Sequence, residues 1–270
     1  MFTVLGAGGF IGSHLVKWLH ANGHEVYAPV RDDPDIFIRK LGHVIYCIGM
    51  TADFRTRPFD TVRSHVSVLA DILEKSDFDS FLYLSSTRVY ARCNGGKESD
   101  AIIADSSDPS DLYNLTKLTG ESLCRCCGRA GVKVARLSNV LGYDPQSELF
   151  LFTLIRAALA GHIELQTNPE SAKDYLLVED VVALLPRIAT EGRQWLYNIA
   201  SGTSVSHRAI VERLAALTGC SWSARPDLPL SSFPEINIER IRKEFAFSPA
   251  PVLEALPRLV DLFRAQGAIN

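Results

Sequence analysis

The sequence predicts an α/β fold in which helices cover both faces of a parallel sheet. Short β-branched or apolar runs alternate with segments of helical periodicity, and 47% hydrophobic with 22% charged residues is typical of a globular protein. The predicted strands cover residues 2–5, 25–30, 43–48, 81–85 and 132–137. The predicted helices between them cover residues 11–22, 60–75 and 112–130. Strand and helix in repetition favour a doubly wound sheet, because each helix returns the chain for the next parallel strand.

The pattern changes beyond about residue 140, where helical segments are separated by brief strands and proline-containing turns. The helices predicted there cover residues 148–160, 179–190, 206–218, 236–245 and 252–266. We therefore expect two units. Residues 1–140, with 174–200 returning to them, form the sheet domain, and residues 141–173 and 201–270 form a smaller, mainly helical C-terminal cap over the substrate.

The charge pattern makes several classes of partner unfavourable. The formal net charge is −3 and no run of five like charges occurs, so we expect no nucleic acid or membrane partner and favour a small molecule. A first strand at Phe2 leaves no room for a signal sequence, and no window holds 18 uninterrupted apolar residues, which predicts a cytoplasmic protein. The six cysteines are expected to stay reduced, and no metal site is predicted.

A glycine-rich turn directly follows the first predicted strand. Gly6, Gly9 and Gly12 have the spacing G-x-x-G-x-x-G, and Phe10 and Ile11 begin the helix that follows. Glycine permits the tight turn, a close approach of backbone to pyrophosphate, and packing of the helix against the sheet. The helix N-terminus adds free N–H groups and the positive end of a dipole. These five residues predict the phosphate-binding part of a Rossmann-type dinucleotide site.

The residues after the second predicted strand bear on the choice of cofactor. In such sites an acidic residue bonds the adenosine ribose hydroxyl, whereas an arginine accepts the 2′-phosphate. Arg31 comes first and Asp32 follows. We therefore favour NADP held by Arg31, and the alternative is NAD held by Asp32 with Arg31 as a solvated loop charge.

A tyrosine and a lysine share one face of the helix predicted at 112–130. Tyr113 and Lys117 stand at i and i+4. A free tyrosine titrates near pH 10, but a nearby cation lowers that pKa by about 1–3 units, so that the phenol can exchange a proton during hydride transfer. Taken alone, a tyrosine and a lysine at this spacing would be interpreted by preference as a surface pair. The preceding strand, however, ends in Ser85 and Ser86, at the edge where open α/β sheets bind ligands.

These segments together resemble the extended short-chain dehydrogenase/reductases, the family of NAD-dependent epimerases and dehydratases that contains nucleotide-sugar epimerases and ketoreductases. The stretch from Ser85 to Tyr90 is similar to the family's Ser-Ser-x-x-Val-Tyr segment. The resemblance implies that Ser86, Tyr113 and Lys117 form the catalytic triad, with Tyr113 as acid/base. It also implies that Tyr113 and Lys117 contact the cofactor, whose nicotinamide ribose the lysine binds.

The resemblance further implies a site for a nucleotide-linked sugar. Asn139 lies in a stretch similar to the family's strand whose asparagine contacts the sugar nucleotide, and Lys173 stands where a basic residue meets the substrate pyrophosphate. Arg225 resembles a second phosphate contact, with a structural turn as an equal alternative. Ser86 and Thr87 complete the expected substrate-binding set.

The sequence departs from the family between the second and third predicted strands. Eleven residues separate Arg31 from His43, where relatives fit a helix, a strand and another helix. A crossover of this length has room for one short helix. We therefore expect the sheet to lack one edge strand, together with the usual acidic contact to the adenine.

A second departure concerns the reaction. Thr87 and Arg88 stand where the family's dehydratases carry an acidic pair, so dehydration is disfavoured and an epimerase or a ketoreductase is expected. Arg55 and Arg57 are either contacts to an anionic substrate or, by preference, solvated loop charges. The alternative function is a non-catalytic NAD(P)-binding sensor or assembly protein. Relatives pair through the helices that correspond to 60–75 and 112–130, which implies a homodimer.

Overall fold

The computed structural model describes residues 1–50, 53–144, 149–231 and 233–267. The strands are β1 (Phe2–Leu5), β2 (Val26–Tyr27), β3 (His43–Tyr46), β4 (Ser80–Ser86), β5 (Val132–Leu137), β6 (Asn139–Leu141), β7 (His162–Leu165), β8 (Ala172–Leu177), β9 (Leu196–Ile199), β10 (Ser204–Ser206) and β11 (Ser221–Ala224). The α-helices are α1 (Phe10–Ala21), α2 (Pro58–Val62), α3 (Val68–Lys75), α4 (Leu112–Cys126), α5 (Phe150–Leu159), α6 (Val178–Glu191), α7 (His207–Thr218), α8 (Glu239–Phe245) and α9 (Val252–Gly267). The doubly wound α/β architecture predicted from the sequence is confirmed.

Six strands form one parallel sheet in the order β2-β1-β3-β4-β5-β9. β1 pairs with β2 on one side and with β3 on the other. The segment that joins β2 to β3 contains a 3₁₀ helix at Pro34–Phe37 and no further strand of the sheet. The predicted loss of an edge strand is confirmed, and the two-residue β2 forms that edge instead.

Alternating side chains of the central strands fill two separate cores. Val4 and Ile45 belong to a core shared with α1 and α6, whereas Leu5 and Val44 belong to one shared with α3 and α4. Full burial of one such side chain contributes about 1.5–3 kcal/mol. The sheet is therefore held between two helical layers, and its carboxyl edge is left for the turns that follow β1, β3 and β4.

The residues after β5 form a smaller region of mixed structure. Three strands pair as β10-β8-β6 and two as β11-β7, and α5, α7 and α9 surround a core of their own. The sequence predicts a mainly helical cap because strands of only three to six residues are too short for alternation to reveal them. β9 returns from this region to pair with β5. Of the helices described, none is long and apolar enough to cross a membrane.

A π-helical turn at Arg63–Ser67 separates α2 from α3. The sequence predicts one uninterrupted helix over 60–75, since nothing in its periodicity marks the wider turn. Turns of this kind inside helices are frequent at functional sites. Here the turn contains His65, which is fully buried next to α4.

Candidate active site

The glycine turn leaves backbone donors free at the start of α1. Gly9 is the N-cap and has no side-chain cap, and its own N–H donates to the Gly6 carbonyl at 3.0 Å. In the first helical turn the N–H groups of Phe10, Ile11 and Gly12 have no carbonyl partner within the helix. The side chains of Phe10 and Ile11 pack against the α1–α6 core, so these residues offer backbone groups to a ligand.

The turn also excludes side chains. A Cβ atom on Gly12 would lie 2.2 Å from the Gly6 carbonyl oxygen, and one on Gly6 would lie 2.8 Å from the Ile48 nitrogen. Gly6 has a φ of +86°, a conformation that favours glycine. A Cβ on Gly8 would meet open space. A cradle of free N–H groups and bare backbone fits the pyrophosphate of a dinucleotide.

Arg31 and Asp32 lie in the loop that follows β2, where an adenosine ribose is expected in this fold. Both side chains are exposed. The next residue, Asp33, is already engaged, because its carboxylate accepts from the Tyr27 hydroxyl at 2.8 Å and from the Asp35 N–H at 3.0 Å. Arg31 and Asp32 therefore remain the two candidates for the ribose.

The last two residues of β4 point to opposite sides of the sheet, as successive strand residues do. Ser85 is buried and donates to Glu121 Oε1 at 2.6 Å. Ser86 is half-buried, accepts from the Arg88 N–H at 3.2 Å and lies close enough to the Tyr113 phenol for its hydroxyl to lower the pKa of the phenol. Ser86 and Tyr113 thus meet, whereas Ser85 faces the interior.

Lys117 is buried one helical turn after Tyr113. Its ammonium donates to the Leu84 carbonyl at 2.8 Å and lies 6.0 Å from the centre of the Tyr113 ring. A Cβ atom on Gly49 would approach this ammonium to 3.4 Å. Burial lowers the pKa of Lys117 to about 7, although the charge of Glu121 acts in the opposite direction. The charge of this lysine at neutral pH therefore depends on what binds beside it.

The pKa of Tyr113 is raised, not lowered as the sequence leads one to expect. Burial raises it, while the hydroxyl of Ser86 and the positive charge of Arg88 lower it in part. Burial also lowers the pKa of Lys117, so the stabilisation of the deprotonated phenol by this lysine stays a prediction for its charged form. Among the described residues, Arg88 is a cation whose charge lowers the pKa of the phenol, and its guanidinium carbon lies 5.5 Å from the ring centre.

A buried polar network supports the helix that carries Tyr113. Arg136 of β5 binds Glu121 of α4 through two parallel hydrogen bonds, from Nε to Oε1 at 2.9 Å and from Nη2 to Oε2 at 2.6 Å. Arg136 also donates to the Tyr90 hydroxyl at 2.7 Å, which donates to Asn198 Oδ1 at 2.9 Å. The network fixes α4 against β5 and β9.

His65 joins the segment after β3 to α4. Its Nε2 accepts from the Met50 N–H at 3.1 Å, so Nδ1 carries the proton and donates to Thr116 Oγ1 at 2.8 Å. Burial and the charge of Lys117 lower the pKa of His65 to about 2, which keeps the ring neutral. The ring meets that of Tyr113 edge to face at 5.3 Å. His65 therefore fixes both the loop and the tyrosine.

Two arginines lie over Phe54 beside the tyrosine. The guanidinium carbons of Arg55 and Arg88 lie 4.5 and 5.0 Å from the centre of the Phe54 ring. That ring lies 5.4 Å from the ring of Tyr113. Arg55 donates to the Ser110 hydroxyl at 3.2 Å and Arg88 to the Ser110 carbonyl at 3.4 Å. Arg55 is therefore brought to the site rather than left as a loop charge.

Two of the expected substrate contacts lie on the strands next to this site. Lys173 of β8 is half-buried, and burial together with the charge of Arg88 lowers its pKa. Asn139 of β6 donates to the Asp174 carbonyl at 2.8 Å, in the pairing of β6 with β8. Lys173 and Asn139 are thus brought to one sheet, and Lys173 is within electrostatic range of Arg88.

The other two expected contacts differ in their placement. Thr87 is buried directly after Ser86. Arg225 follows β11, where it is exposed and pairs with Glu164 of β7 at 3.6 Å. These contacts of Arg225 belong to the small β11-β7 sheet and not to the surroundings of Tyr113.

Several residues of the site have no role in the sequence-based prediction. Glu121, His65 and Phe54 each contact the triad or its neighbours, yet none belongs to a recognisable motif. The sequence offers only a weak indication, which is that two of them are ionisable residues in predicted helices. Glu121 stands at i+4 from Lys117, and His65 has apolar residues around it in the sequence. Such a signal is equally produced by a surface charge.

The comparisons with known proteins agree with this architecture. The NAD dependent epimerase/dehydratase family model matches residues 2–200. The chain is 24% identical over 310 aligned positions to dTDP-4-dehydro-6-deoxy-D-allose reductase of Streptomyces bikiniensis, which covers 97% of this chain and 95% of that protein. It is 24% identical over 201 positions to dTDP-glucose 4,6-dehydratase of Streptomyces griseus, covering 70% of this chain and 60% of the relative.

Among solved structures, the fold is similar to that of UDP-glucose 4-epimerase with UDP-glucose from Thermotoga maritima, with a TM-score of 0.82 and 20% identity over 98% of this chain and 99% of that one. The relatives thus include a reductase and a dehydratase, so family membership alone leaves both reactions open besides epimerisation. The family match covers the glycine turn, β4 and α4 together. The resemblance drawn from the motifs is confirmed: the chain belongs to the NAD dependent epimerase/dehydratase family.

Proposed function

We propose that this protein is an NAD(P)-dependent epimerase or ketoreductase that acts on a nucleotide-linked sugar. The observation that carries the proposal is the grouping of Ser86, Tyr113 and Lys117 after β4, at the sheet edge where the glycine turn follows β1. Ligands of open parallel sheets bind at this edge. A phosphate cradle and a proton-carrying phenol side by side suit hydride transfer between a dinucleotide and a sugar.

The three residues have distinct roles in this proposal. The bound cofactor supplies a nicotinamide that accepts or donates hydride. Tyr113 takes the proton of the sugar hydroxyl as its carbon loses hydride, and returns a proton in the reverse direction. Ser86 hydrogen-bonds the reacting oxygen. Lys117, in its charged form, holds the nicotinamide ribose and stabilises the deprotonated phenol.

We assign Lys173 to the substrate diphosphate, and Asn139 and Thr87 to the sugar nucleotide. Arg225 is also assigned to the substrate, and to reach it the side chain has to leave its exposed contact with Glu164. Residues 1–140 and 174–200 then hold the cofactor, and residues 141–173 and 201–270 cover the substrate.

Dehydration is the less favoured reaction, although a dehydratase stands among the relatives. Elimination of water needs a second acid and base close to the sugar. The residues after Ser86 are Thr87 and Arg88, and neither is a carboxylic acid. Oxidation and reduction without elimination therefore fit this site better.

Purified protein tested against a panel of nucleotide sugars, with absorbance followed at the nicotinamide band, examines the proposal directly. A ketoreductase consumes added cofactor with net loss of absorbance, whereas an epimerase converts substrate with none. The second candidate, a sensor or assembly protein, is favoured by the exposed apolar side chains of Val30, Phe37 and Ile38 beside the missing strand. Cofactor binding without turnover of any sugar in the panel would support that candidate.

Replacing Arg31 with alanine is expected to weaken NADP binding by about tenfold to a hundredfold, the effect of losing one charged hydrogen bond, while NAD binding changes little. Binding of both cofactors is measured by fluorescence titration. Asp32→Asn is the matched variant from the neighbouring position, and it should change neither affinity greatly. A loss of NAD affinity in Asp32→Asn, with Arg31→Ala silent, would assign the ribose to Asp32.

We propose that the chain forms a homodimer through α2, α3 and α4. Phe59 and Val62 of α2 are 81% and 38% exposed next to α4, on which Leu115 is half-buried. Phe59→Asp is expected to convert a dimer into a monomer at micromolar concentration, because it places a charge in an apolar contact. Light scattering after size-exclusion chromatography measures this. Phe37→Asp, at another exposed aromatic residue, is the control, and a wild-type monomer contradicts the proposal.

A further inference from the structure

The site contains more positive charge than a neutral sugar requires. Arg88 lies over the Tyr113 ring, Arg55 lies over the neighbouring Phe54, and Lys173 is close enough to Arg88 to feel its charge. The charge of Arg55 lowers the pKa of Arg88, and the charge of Arg88 lowers that of Lys173. Arg88 is therefore close to two further positive charges.

Among the residues that the structure describes, no carboxylate forms an ion pair with Arg88. The charges of Asp108 and Asp111 partly raise the pKa of Arg88, but both carboxylates bind Arg92, at 2.5 and 2.7 Å. Among the described residues, the Arg88 guanidinium has one hydrogen bond, the long contact to the Ser110 carbonyl at 3.4 Å. A half-buried cation without an anion paired to it is unfavourable, so its presence at a functional site indicates that a ligand brings the anion.

The orientation of Arg88 indicates which kind of anion fits. Its guanidinium carbon lies 5.0 Å from the centre of the Phe54 ring and 5.5 Å from that of Tyr113, and among the described residues only its Nη1 has a hydrogen-bond acceptor, so its other N–H groups can bind a ligand. That edge matches the two oxygen atoms of a carboxylate. Arg88 also follows Ser86 by two residues, which places it next to the oxygen that reacts.

We propose that Arg88, assisted by Arg55, binds a carboxylate carried by the sugar ring, so that the preferred substrate is a nucleotide-linked uronic acid. The inference rests on the proposed function and deepens it. Lys173 serves the diphosphate, and the two arginines serve the sugar.

The test compares UDP-glucuronate with UDP-glucose, which share the nucleotide and diphosphate and differ in the carboxylate. Affinities are measured by calorimetry in the Tyr113→Phe background with NADP present, so that no turnover occurs. The charged sugar is expected to bind about tenfold or more tightly. Arg88→Gln should abolish this preference, with a loss of about tenfold to a hundredfold for UDP-glucuronate and little change for UDP-glucose. Arg55→Gln, at an exposed side chain, should act in the same direction with a smaller effect.

Two control variants separate the carboxylate from the diphosphate. Lys173→Gln should weaken both ligands equally. Arg57→Gln, whose side chain pairs with Asp60 at 2.8 Å, should weaken neither. Equal weakening of both ligands by Arg88→Gln would assign Arg88 to the diphosphate and overturn the inference, as would equal affinity of the wild-type site for both ligands.

Failure of the proposed function would give a different result from failure of the inference about the carboxylate. If neither UDP ligand binds, and the corresponding thymidine and guanosine diphosphate sugars also fail, the nucleotide-sugar function falls and this inference with it. If Arg88→Gln lowers the melting temperature severely, Arg55→Gln decides, because an exposed side chain can be changed without loss of the fold.

Discussion

Replacing Tyr113 with phenylalanine is expected to lower turnover by about 10²–10⁴-fold, the usual contribution of a positioned acid/base, while the fold and cofactor binding are retained. The ring contacts with Phe54 and His65, at 5.4 and 5.3 Å, need no hydroxyl. The deleted oxygen is the one that interacts with Ser86. Steady-state turnover on a sugar identified from the panel, together with cofactor titration, measures the two effects separately.

Tyr197→Phe is the matched control for this change. Tyr197 is also buried, but its hydroxyl interacts with Glu244 at 2.9 Å, away from Lys117 and the glycine turn, so turnover should stay near the wild-type value. Lys117→Met should instead lower turnover and cofactor affinity together, because the lysine serves both. Undiminished turnover in Tyr113→Phe would transfer the proton-carrying role to Ser86 or to a residue of the cap.

Replacing Arg136 with methionine is expected to destabilise the protein by about 3–5 kcal/mol, because it leaves a buried carboxylate without its partner. The side chains of Arg136 and Glu121 are 4% and 5% exposed, so water cannot solvate the remaining charge. The change also removes the donor to the Tyr90 hydroxyl. Urea denaturation followed by circular dichroism gives the free energy of unfolding.

The double variant Arg136→Met with Glu121→Leu is the sharper measurement. Replacing both partners of a buried pair by apolar groups is often neutral or stabilising, so the double variant should regain much of the stability that the single variant loses. Lys75→Ala breaks the exposed pair with Asp71, and it should change the free energy of unfolding far less, because solvent screens both charges. A double variant no more stable than Arg136→Met would show that the arginine acts through packing rather than through the charge of Glu121.

The sequence predicts the features of the molecule that depend on residues close to one another along the chain. The glycine turn is read from three glycines between a strand and a helix, and β1 and β5 have the predicted bounds. The missing edge strand follows from chain length alone, since the residues between Arg31 and His43 cannot form a strand with its helices. Tyr113 and Lys117 are recognised because helical spacing places them on one face.

The remaining features depend on residues distant in sequence, which a motif cannot show. His65 acts through Met50 and Thr116, and Arg88 through Phe54 and Ser110. The pKa of Tyr113 depends on burial, which the sequence does not give. A motif also predicts which residues lie near a site better than it predicts what each of them does there. Asp174, beside the expected substrate contact Lys173, accepts hydrogen bonds from Ser201 and Gly202 and so fixes a turn.

The position of β9 in the sheet restricts where the chain can be cut into fragments or joined to a relative. β5 receives its outer partner only after the chain has passed through α5, β7, β8 and α6, so a nascent chain exposes the apolar edge of β5 until β9 is synthesised. Unpaired edges of this kind promote association with other chains, and pairings distant in sequence form slowly. A fragment that ends near residue 140 would keep that edge open permanently. In a chimera of two relatives with a single junction after β5, β9 would likewise come from a different parent than β5. A working chimera must therefore either keep its own β9 or contain a β9 that pairs with β5.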